Sequence, residues 1–427
     1  MTFEAKRLGD IAEIIGGGTP STKDAGNWDG DIPWLTPKDL SSFEGIYVER
    51  GSRSITEQGF KSSSAKMLPA GAVLYTSRAP IGYVAIASNS ISTNQGFKSL
   101  ILKDGYVPEF VFYLLKASKS EIESHASGGT FAEISAKALS DVVLQFPPKI
   151  QQEAIAKLLK SLDEKIAANN ALSKILEDIA QTIFKSWFID FDPVKAKMAG
   201  EKPAGMDAAL AALFPDAMED SELGLIPNGW NIKVISDFGK VVTGKTPSTK
   251  VPEYWGDQIP FVTIPDMHGQ ILVTSTARAL SKQGADSQRS QNVPAGSTMV
   301  TCIATPGLVG YATKNCQTNQ QINSVIPSVE YSSEWLFWHL RGLIPTLIRN
   351  SGIGTVFANL NKSDFSKIKS ITPTMALRNA FNDVVEPIME LLETLNHESQ
   401  YLRDIRNGLL PRLISGELQI PEEMLAS

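Results

Sequence analysis

Residues 8–40 read LGDIAEIIGGGTPSTKDAGNWDGDIPWLTPKDL, and residues 235–267 read ISDFGKVVTGKTPSTKVPEYWGDQIPFVTIPDM. At a constant offset of 227 the two stretches align without a gap. Identities fall at Asp10/Asp237, Gly17/Gly244, Thr19 to Lys23 on Thr246 to Lys250, Trp28/Trp255, Ile32/Ile259, Pro33/Pro260, Thr36/Thr263 and Asp39/Asp266. The register resumes at an offset near 225. Pro69-Ala70-Gly71 meets Pro294-Ala295-Gly296, Thr93-Asn94-Gln95 meets Thr318-Asn319-Gln320, and Glu109 and Phe112 meet Glu334 and Phe337. Gly129-Thr130 and Pro147 then meet Gly354-Thr355 and Pro373. A period this long marks a tandem pair of domains, because solenoid repeats span only roughly 20 to 45 residues.

Length agrees with that reading. At roughly 100 to 200 residues per domain, a chain of 427 residues holds several domains, each able to bury a core. With 20% charged and 42% hydrophobic residues the composition is that of a soluble globular protein. No window reaches the ~18 apolar residues of a membrane span, and the N-terminus lacks a basic and apolar leader, so a cytoplasmic location without membrane contact is expected. Cys302 and Cys316 are the only cysteines, and His125, His268, His339 and His397 are scattered. That pattern gives no disulfide framework and no metal site, and both thiols are expected to be buried.

Within each copy, short alternating runs such as AVLYTS (72–77) and YVAIA (83–87) predict strands, with one helix near Pro108 to Ser124. The stretch from Gln151 to Phe188 then contains neither Pro nor Gly. Ile155, Leu159, Leu162, Ile166, Asn169, Ser173, Leu176, Ala180, Ile183 and Trp187 recur in steps of four and three, the seam of a coiled coil. Phe381, Val385, Ile388, Leu392, Leu395, Ser399, Leu402, Arg406 and Leu409 repeat it in the second copy. An apolar seam needs a partner, so the two helices are expected to pack on each other. The predicted class is α/β (α+β), with an internal pseudo-two-fold repeat. Its segments are two like domains at 1–148 and 229–373, long helices at 149–189 and 374–420, and a linker at 190–228.

These features together resemble the DNA specificity subunit of type I restriction-modification enzymes. The resemblance is carried by the doubled GxTPS segment (Gly17 to Ser21, Gly244 to Ser248), the TNQ triplets, and LDEKIAANNALSKILEDIAQTIFKSWFIDFDPV (162–194). LFPDAMEDSELGLIPNGW (213–230) and LLPRLISGEL (409–418) complete it. It implies two target-recognition domains, each reading half of a split double-stranded DNA site, separated by two long antiparallel helices. It also implies two modification subunits that bind S-adenosylmethionine and methylate adenine, and restriction subunits that translocate DNA with ATP and Mg. The specificity subunit would then be non-catalytic, with no cofactor bound by this chain.

Candidate DNA contacts follow from residue chemistry. Thr19, Ser21 and Lys23, with Thr246, Ser248 and Lys250, suit phosphates, which position a protein without reading sequence. The same Thr-Pro-Ser also suits a plain capped turn. Arg78, in a loop where the copies differ (Ser77-Arg78-Ala79-Pro80 against Cys302-Ile303-Ala304-Thr305-Pro306), suits a guanine edge. Asn94, Gln95, Asn319 and Gln320 carry amides suited to adenine, although their presence in both copies favours a structural role. Lys98 and Lys245 complete the basic candidates. Gly128 to Phe131 and Gly352 to Phe357 form a second shared loop. Ile183, Phe184, Trp187 and Phe188 exceed what one seam requires and are candidates for docking a modification subunit.

Two motifs argue for other chemistry and fail. Gly239 with Gly244-Lys245-Thr246 matches a phosphate-binding loop, the basis of an alternative nucleotide-hydrolase reading, yet Pro247 and Pro252 follow where a helix must start. Asp163-Glu164-Lys165 fits the tail of a nuclease pattern but lies in the coiled-coil stretch, where a solvated face is expected. A further alternative is a DNA-binding protein that works without partners.

Net charge is −6, which taken alone argues against a DNA partner. By region it is −1 for 1–150, −5 for 151–230, +5 for 231–373 and −5 for 374–427. The helices and linker therefore carry the acidity, while the two recognition domains together hold +4. Weak, salt-sensitive DNA binding by the isolated chain is expected.

Overall fold

In the first copy the alternating runs form a five-stranded sheet ordered Ala12–Gly16, Lys98–Leu102, Val73–Ser77, Ile81–Ala87, Tyr47–Val48. Its neighbours are antiparallel except the edge strand Tyr47–Val48, which lies parallel to Ile81–Ala87. A smaller sheet sets Trp28–Leu35 between Arg53–Ile55 and Ser92–Thr93, and Glu4–Arg7 pairs with Val143–Phe146. The second copy repeats this plan, except that the counterpart of Trp28–Leu35 is split into Trp255–Gly256 and Ile259–Val262, both paired with Ala279–Leu280. Gly239–Thr243, Ile322–Pro327, Thr298–Thr301, Val309–Ala312 and Leu272–Val273 make the larger sheet. Ile259–Val262 lies between Ala279–Leu280 and Gln317–Thr318, and Asn231–Val234 pairs with Lys369–Thr372. This computed structural model describes residues 3–128, 132–350 and 360–421, apart from the side chains of 345–350. Most of the second shared loop, 129–131 and 352–357, lies outside the described residues.

The Pro-free stretches form two helices of 40 residues each, Lys149–Phe188 and Met375–Ile414, each about 60 Å long. The chain resolves into two compact units, Met1–Ala168 with Ser399–Ser427, and Asn169–Glu398. Each unit thus contains one recognition domain and half of each long helix, so the helices are not segments apart from the domains. In the first unit Ile155 and Leu159 share a core with Leu413, Ile414 and Ile420. In the second, Ala180, Phe184 and Trp187 share one with Phe381, Val385 and Leu392. Residue numbers ascend on one helix as they descend on its partner, so the halves pack antiparallel in both units. The mixed strand and helix class and the packed long helices match the expectation from sequence.

The seam positions behave as their spacing dictates. Ile155, Leu159, Ile166, Ala180, Phe381, Val385, Leu392 and Leu395 are buried, and Leu162, Leu176, Ile388 and Leu402 are half-buried. The polar interruptions find use. Asn169 is buried and donates to the Glu398 carboxylate at 2.7 Å. Asp163 departs from expectation. Instead of facing solvent it accepts from Tyr113 Oη at 2.7 Å and pairs with the Arg406 guanidinium, because Arg406 occupies a seam position on the opposing helix. Burial and the adjoining carboxylate push the Tyr113 phenol well above its usual range.

One further expectation is corrected, and the linker proves to be structured. The interdomain stretch 190–228 is folded. It forms helices Asp192–Met198 and Ala208–Ala212 and a hairpin, Met218–Ser221 with Gly224–Pro227. Phe191, Val194 and Phe214 bury themselves in the second unit's core, and Ile226 is buried as well. The aromatic end of the first long helix belongs to the same core and is not a docking surface. Phe184, Trp187 and Phe188 are 3%, 6% and 7% exposed, and Ile183 packs against the cluster. All three rings meet Phe381, at 5.6, 5.8 and 5.2 Å, and Trp187 meets Phe214 while Phe188 meets Trp230. The aromatic surplus that one seam did not require is consumed by chain that returns from the supposed linker.

The same core holds His339, stacked on Trp335 at 4.5 Å, with Nε2 2.9 Å from Ser370 Oγ. Burial pushes its pKa down to about 3, with a lesser contribution from Arg378.

Phe381→Ala is expected to destabilise the second unit by about 3–5 kcal/mol, measured by urea unfolding followed through tryptophan fluorescence. His339 gives a pH signature. The unfolded chain takes up a proton below about pH 6.5 that the folded chain refuses until about pH 3, so stability falls as pH drops through that window. The slope from this group approaches about 1.4 kcal/mol per pH unit. In His339→Phe that slope should vanish from the difference between unfolding midpoints taken across the window.

Candidate nucleic-acid interface

In each copy the first strand of the larger sheet runs out into the GxTPS turn. The backbone there is folded back onto the TNQ segment: Gly18 N–H donates to Thr93 O at 2.9 Å, and Lys245 N–H to Thr318 O at 2.9 Å. A Cβ on Gly17 would collide with the carbonyl oxygens of Thr93 and Asn94, and one on Gly244 with those of Thr318 and Asn319. Only glycine allows that approach. Side chains tie the same segments together across 76 and 74 residues. Thr19 Oγ1 donates to Gln95 Oε1, and Thr246 Oγ1 to Gln320 Oε1 at 2.8 Å. Asn94 and Asn319 turn their Oδ1 atoms onto the backbone N–H two residues on, at 2.9 and 3.0 Å. Ser21 and Ser248 accept from the amides of Lys23 and Lys250, and their carbonyls accept from the indoles of Trp28 and Trp255, at 3.2 and 3.4 Å.

The two motifs shared by the copies are therefore one knot, made twice. It gives the shared hydroxyls and amides architectural work and explains why the phosphate-loop match is formal. The amides of Gly244 and Lys245 are donated to Ile322 O and Thr318 O, and no helix follows them before the short turn Pro252–Tyr254. Lys23, Lys245 and Lys250 stand exposed around the knot, with no carboxylate ion-paired to them among the described residues.

Beside the knot the copies diverge. Arg78 and Lys98 converge on Glu133, at 3.3 and 3.6 Å from its two oxygens, and Ile134 N–H donates to Ser77 O at 3.0 Å. In the second copy Ile303 and Asn323 stand at the corresponding places. Asn323 accepts from Thr243 at 2.6 Å and donates to Cys302 Sγ at 3.3 Å. The residues that follow Arg78 and Ile303, Ala79 and Ala304, hold φ of +54° and +65°, a left-handed conformation uncommon outside glycine. Cys302 and Cys316 are buried, and burial pushes their thiols up to about 11 and about 12.

Sequence reading missed three residues here. Glu133 was invisible because nothing local joins it to Arg78, 55 residues away. Arg53 lies 3.7 Å over the Trp28 ring and Arg278 3.5 Å over Trp255. Aligning Arg53-Ser54-Ile55 with Arg278-Ala279-Leu280 at the shifted offset of 225 would have found both arginines. Each partner ring is itself packed edge-on, Trp28 against Trp34 and Trp255 against Phe261.

A duplicated α/β scaffold that presents one buttressed turn twice, beside loops of different chemistry, defines a two-site recognition protein. A model of the type I restriction modification DNA specificity domain matches residues 1–178 and 227–377. The MjaIX type I restriction enzyme specificity subunit of Methanocaldococcus jannaschii is 33% identical over 98% of this chain and 94% of its own length. The HindI specificity subunit of Haemophilus influenzae is 37% identical over 73% of this chain and 78% of its own. The crystal structure of the S subunit of a type I restriction-modification system from M. genitalium shares the fold, with a TM-score of 0.56 at 15% identity over 96% of both chains. The chain belongs to the family of type I restriction-modification DNA specificity subunits.

The knot generates a graded expectation. Thr246→Val, which loses one side-chain hydrogen bond, should cost about 1 kcal/mol. Gly244→Ala, which drives a Cβ into two carbonyls, should cost several times that, measured by thermal unfolding of the full chain.

Proposed function

We propose that this chain reads DNA sequence for a type I restriction-modification complex and performs no chemistry itself. Each recognition domain reads one half of a bipartite, asymmetric double-stranded site, and the long helices set the separation of the halves, as dimer geometry does in other DNA-binding proteins. Two modification subunits bring S-adenosylmethionine and methylate adenine. Restriction subunits bring ATP, Mg and translocation, in the cytoplasm. Among the described residues no helix is long and apolar enough to cross a membrane.

The observation that carries this reading is the doubled knot with unlike neighbours. Like frames carry Arg78, Lys98 and Glu133 beside them in one copy and Ile303 in the other, where Asn323, the counterpart of Lys98, is buried. Charged and neutral loops favour different base edges, so the two half-sites differ.

Mapping methylated adenines in cells carrying the chain and its modification subunits should return a two-part motif with a fixed gap. Replacing residues 1–148 with the equivalent region of another family member should change one half of that motif and leave the other. A continuous palindrome, or a change in both halves, contradicts the proposal.

A further inference from the structure

We infer that Arg53 and Arg278 are the phosphate contacts common to both copies, each guanidinium held over a tryptophan ring with its donor fork left for the DNA backbone. The inference deepens the DNA-reading proposal above and rests on it.

Three observations carry it. First, the two arginines are built identically. The Asp39 and Asp266 carboxylates, which cap their own turns through Thr36 and Thr263, accept the N–H of Ser52 at 2.9 Å and of Ala277 at 2.8 Å, each the residue just before the arginine. Arg53 then pairs with Trp34 across the small sheet, and Arg278 accepts at its carbonyl from Phe261 N–H, the residue matching Trp34. Second, both arginine side chains are exposed and make no ion pair among the described residues, so neither is needed to close a core or neutralise a fixed carboxylate. Stacking costs the guanidinium none of its in-plane donors, which stay free for a second partner, and it restricts the rotamers that binding must otherwise fix. Third, each stack leans on the knot, since Trp28 and Trp255 donate to the carbonyls of Ser21 and Ser248 two residues before the exposed Lys23 and Lys250.

A group present in both copies while the neighbouring loops diverge does a task that is the same for both half-sites. The backbone is what two different half-sites share, and bidentate arginine fits a phosphate. In the first copy Asp29 and Asp31 line the recess that holds Arg50 and Arg53, so contact there depends on the aimed fork more than on a broad positive field.

The test uses the full chain assembled with its modification subunits, and a duplex carrying the site found by methylation mapping. Affinity is measured over a series of salt concentrations for wild type, Arg53→Gln, Arg278→Gln, the double variant and Arg53→Lys. Each Gln variant should reduce the slope of log affinity against log salt by about 0.9, and the double variant by about 1.8. Arg53→Lys should keep the wild-type slope, and the methylated motif should be unchanged in every case. Wild-type slopes in the Gln variants overturn the inference, as does weakened binding at an unchanged slope, which is the mark of a structural role. A motif altered in one half overturns it too, because it makes the arginine a base reader. If the wild-type complex itself does not prefer the mapped site, the DNA-reading proposal fails and not this assignment.

Discussion

Everything in this chain depends on burying two apolar helix seams. A helix with a stripe such as Ile155, Leu159, Ile166 and Ala180 gains little from its own hydrogen bonds in water and takes its stability from what covers the stripe. The cover comes from the other long helix, more than two hundred residues away in sequence. The first compact unit is therefore discontinuous in sequence and takes its core from both ends of the chain, where Ile155 and Leu159 share a cluster with Leu413 and Ile420, whereas the second is the continuous stretch between them. Polar groups inside the seams refine this arrangement. Partly burying Asp163 and Arg406 costs desolvation that their attraction offsets, and removing one would leave the other charge without its ion-pair partner. Such pairs penalise slipped registers more than they raise stability, as does Asn169 with Glu398.

The frame so defined separates two kinds of residue. Those shared by the copies make turns, clips and stacks: Gly17 and Gly244 admit the TNQ carbonyls, Thr19 and Thr246 clip the glutamines, and the Asp39 and Asp266 caps fix the next strand's start. Of those that differ, Arg78 stands half-buried beside the frame, whereas Asn323 is buried and bonded to Thr243 and Cys302. This division lets one fold host different targets, because loop exchange leaves the clips intact.

Much of this was legible in the sequence. The duplication, the strand runs and nearly every seam position follow from spacing alone, because helical and strand periodicities are local. The failures were all long-range. Phe184, Trp187 and Phe188 looked like surplus apolar surface until Phe214, Trp230 and Phe381 were seen to cover them, and nothing local announces that return. Asp163 looked solvated because its partners, Tyr113 and Arg406, lie on other elements. Arg53 and Arg278 escaped because the self-alignment changes offset between Asp39 and Pro69, which is where they lie. The shared hydroxyls were open to either a turn or DNA contact and the shared amides leaned to a structural role, and the fold shows the partners that spacing could not supply, each hydroxyl bonded to a glutamine of the other motif.

Charge carries the argument one step further. The recognition domains hold −1 and +5, so the first has no net attraction for a polyanion, although the same frame aims its arginine and lysines. Its basic groups near the divergent loop are also restrained, Arg78 and Lys98 both leaning on Glu133. A guanidinium held by a carboxylate loses some attraction for phosphate but gains a fixed direction, and direction is what distinguishes one base edge from another. In the second copy Ile303 takes the place of Arg78, and Asn323, in the place of Lys98, is buried and bonded to Thr243 and Cys302. One scaffold thus carries two chemically different surroundings, a restrained cluster of charge beside the first knot and an uncharged one beside the second.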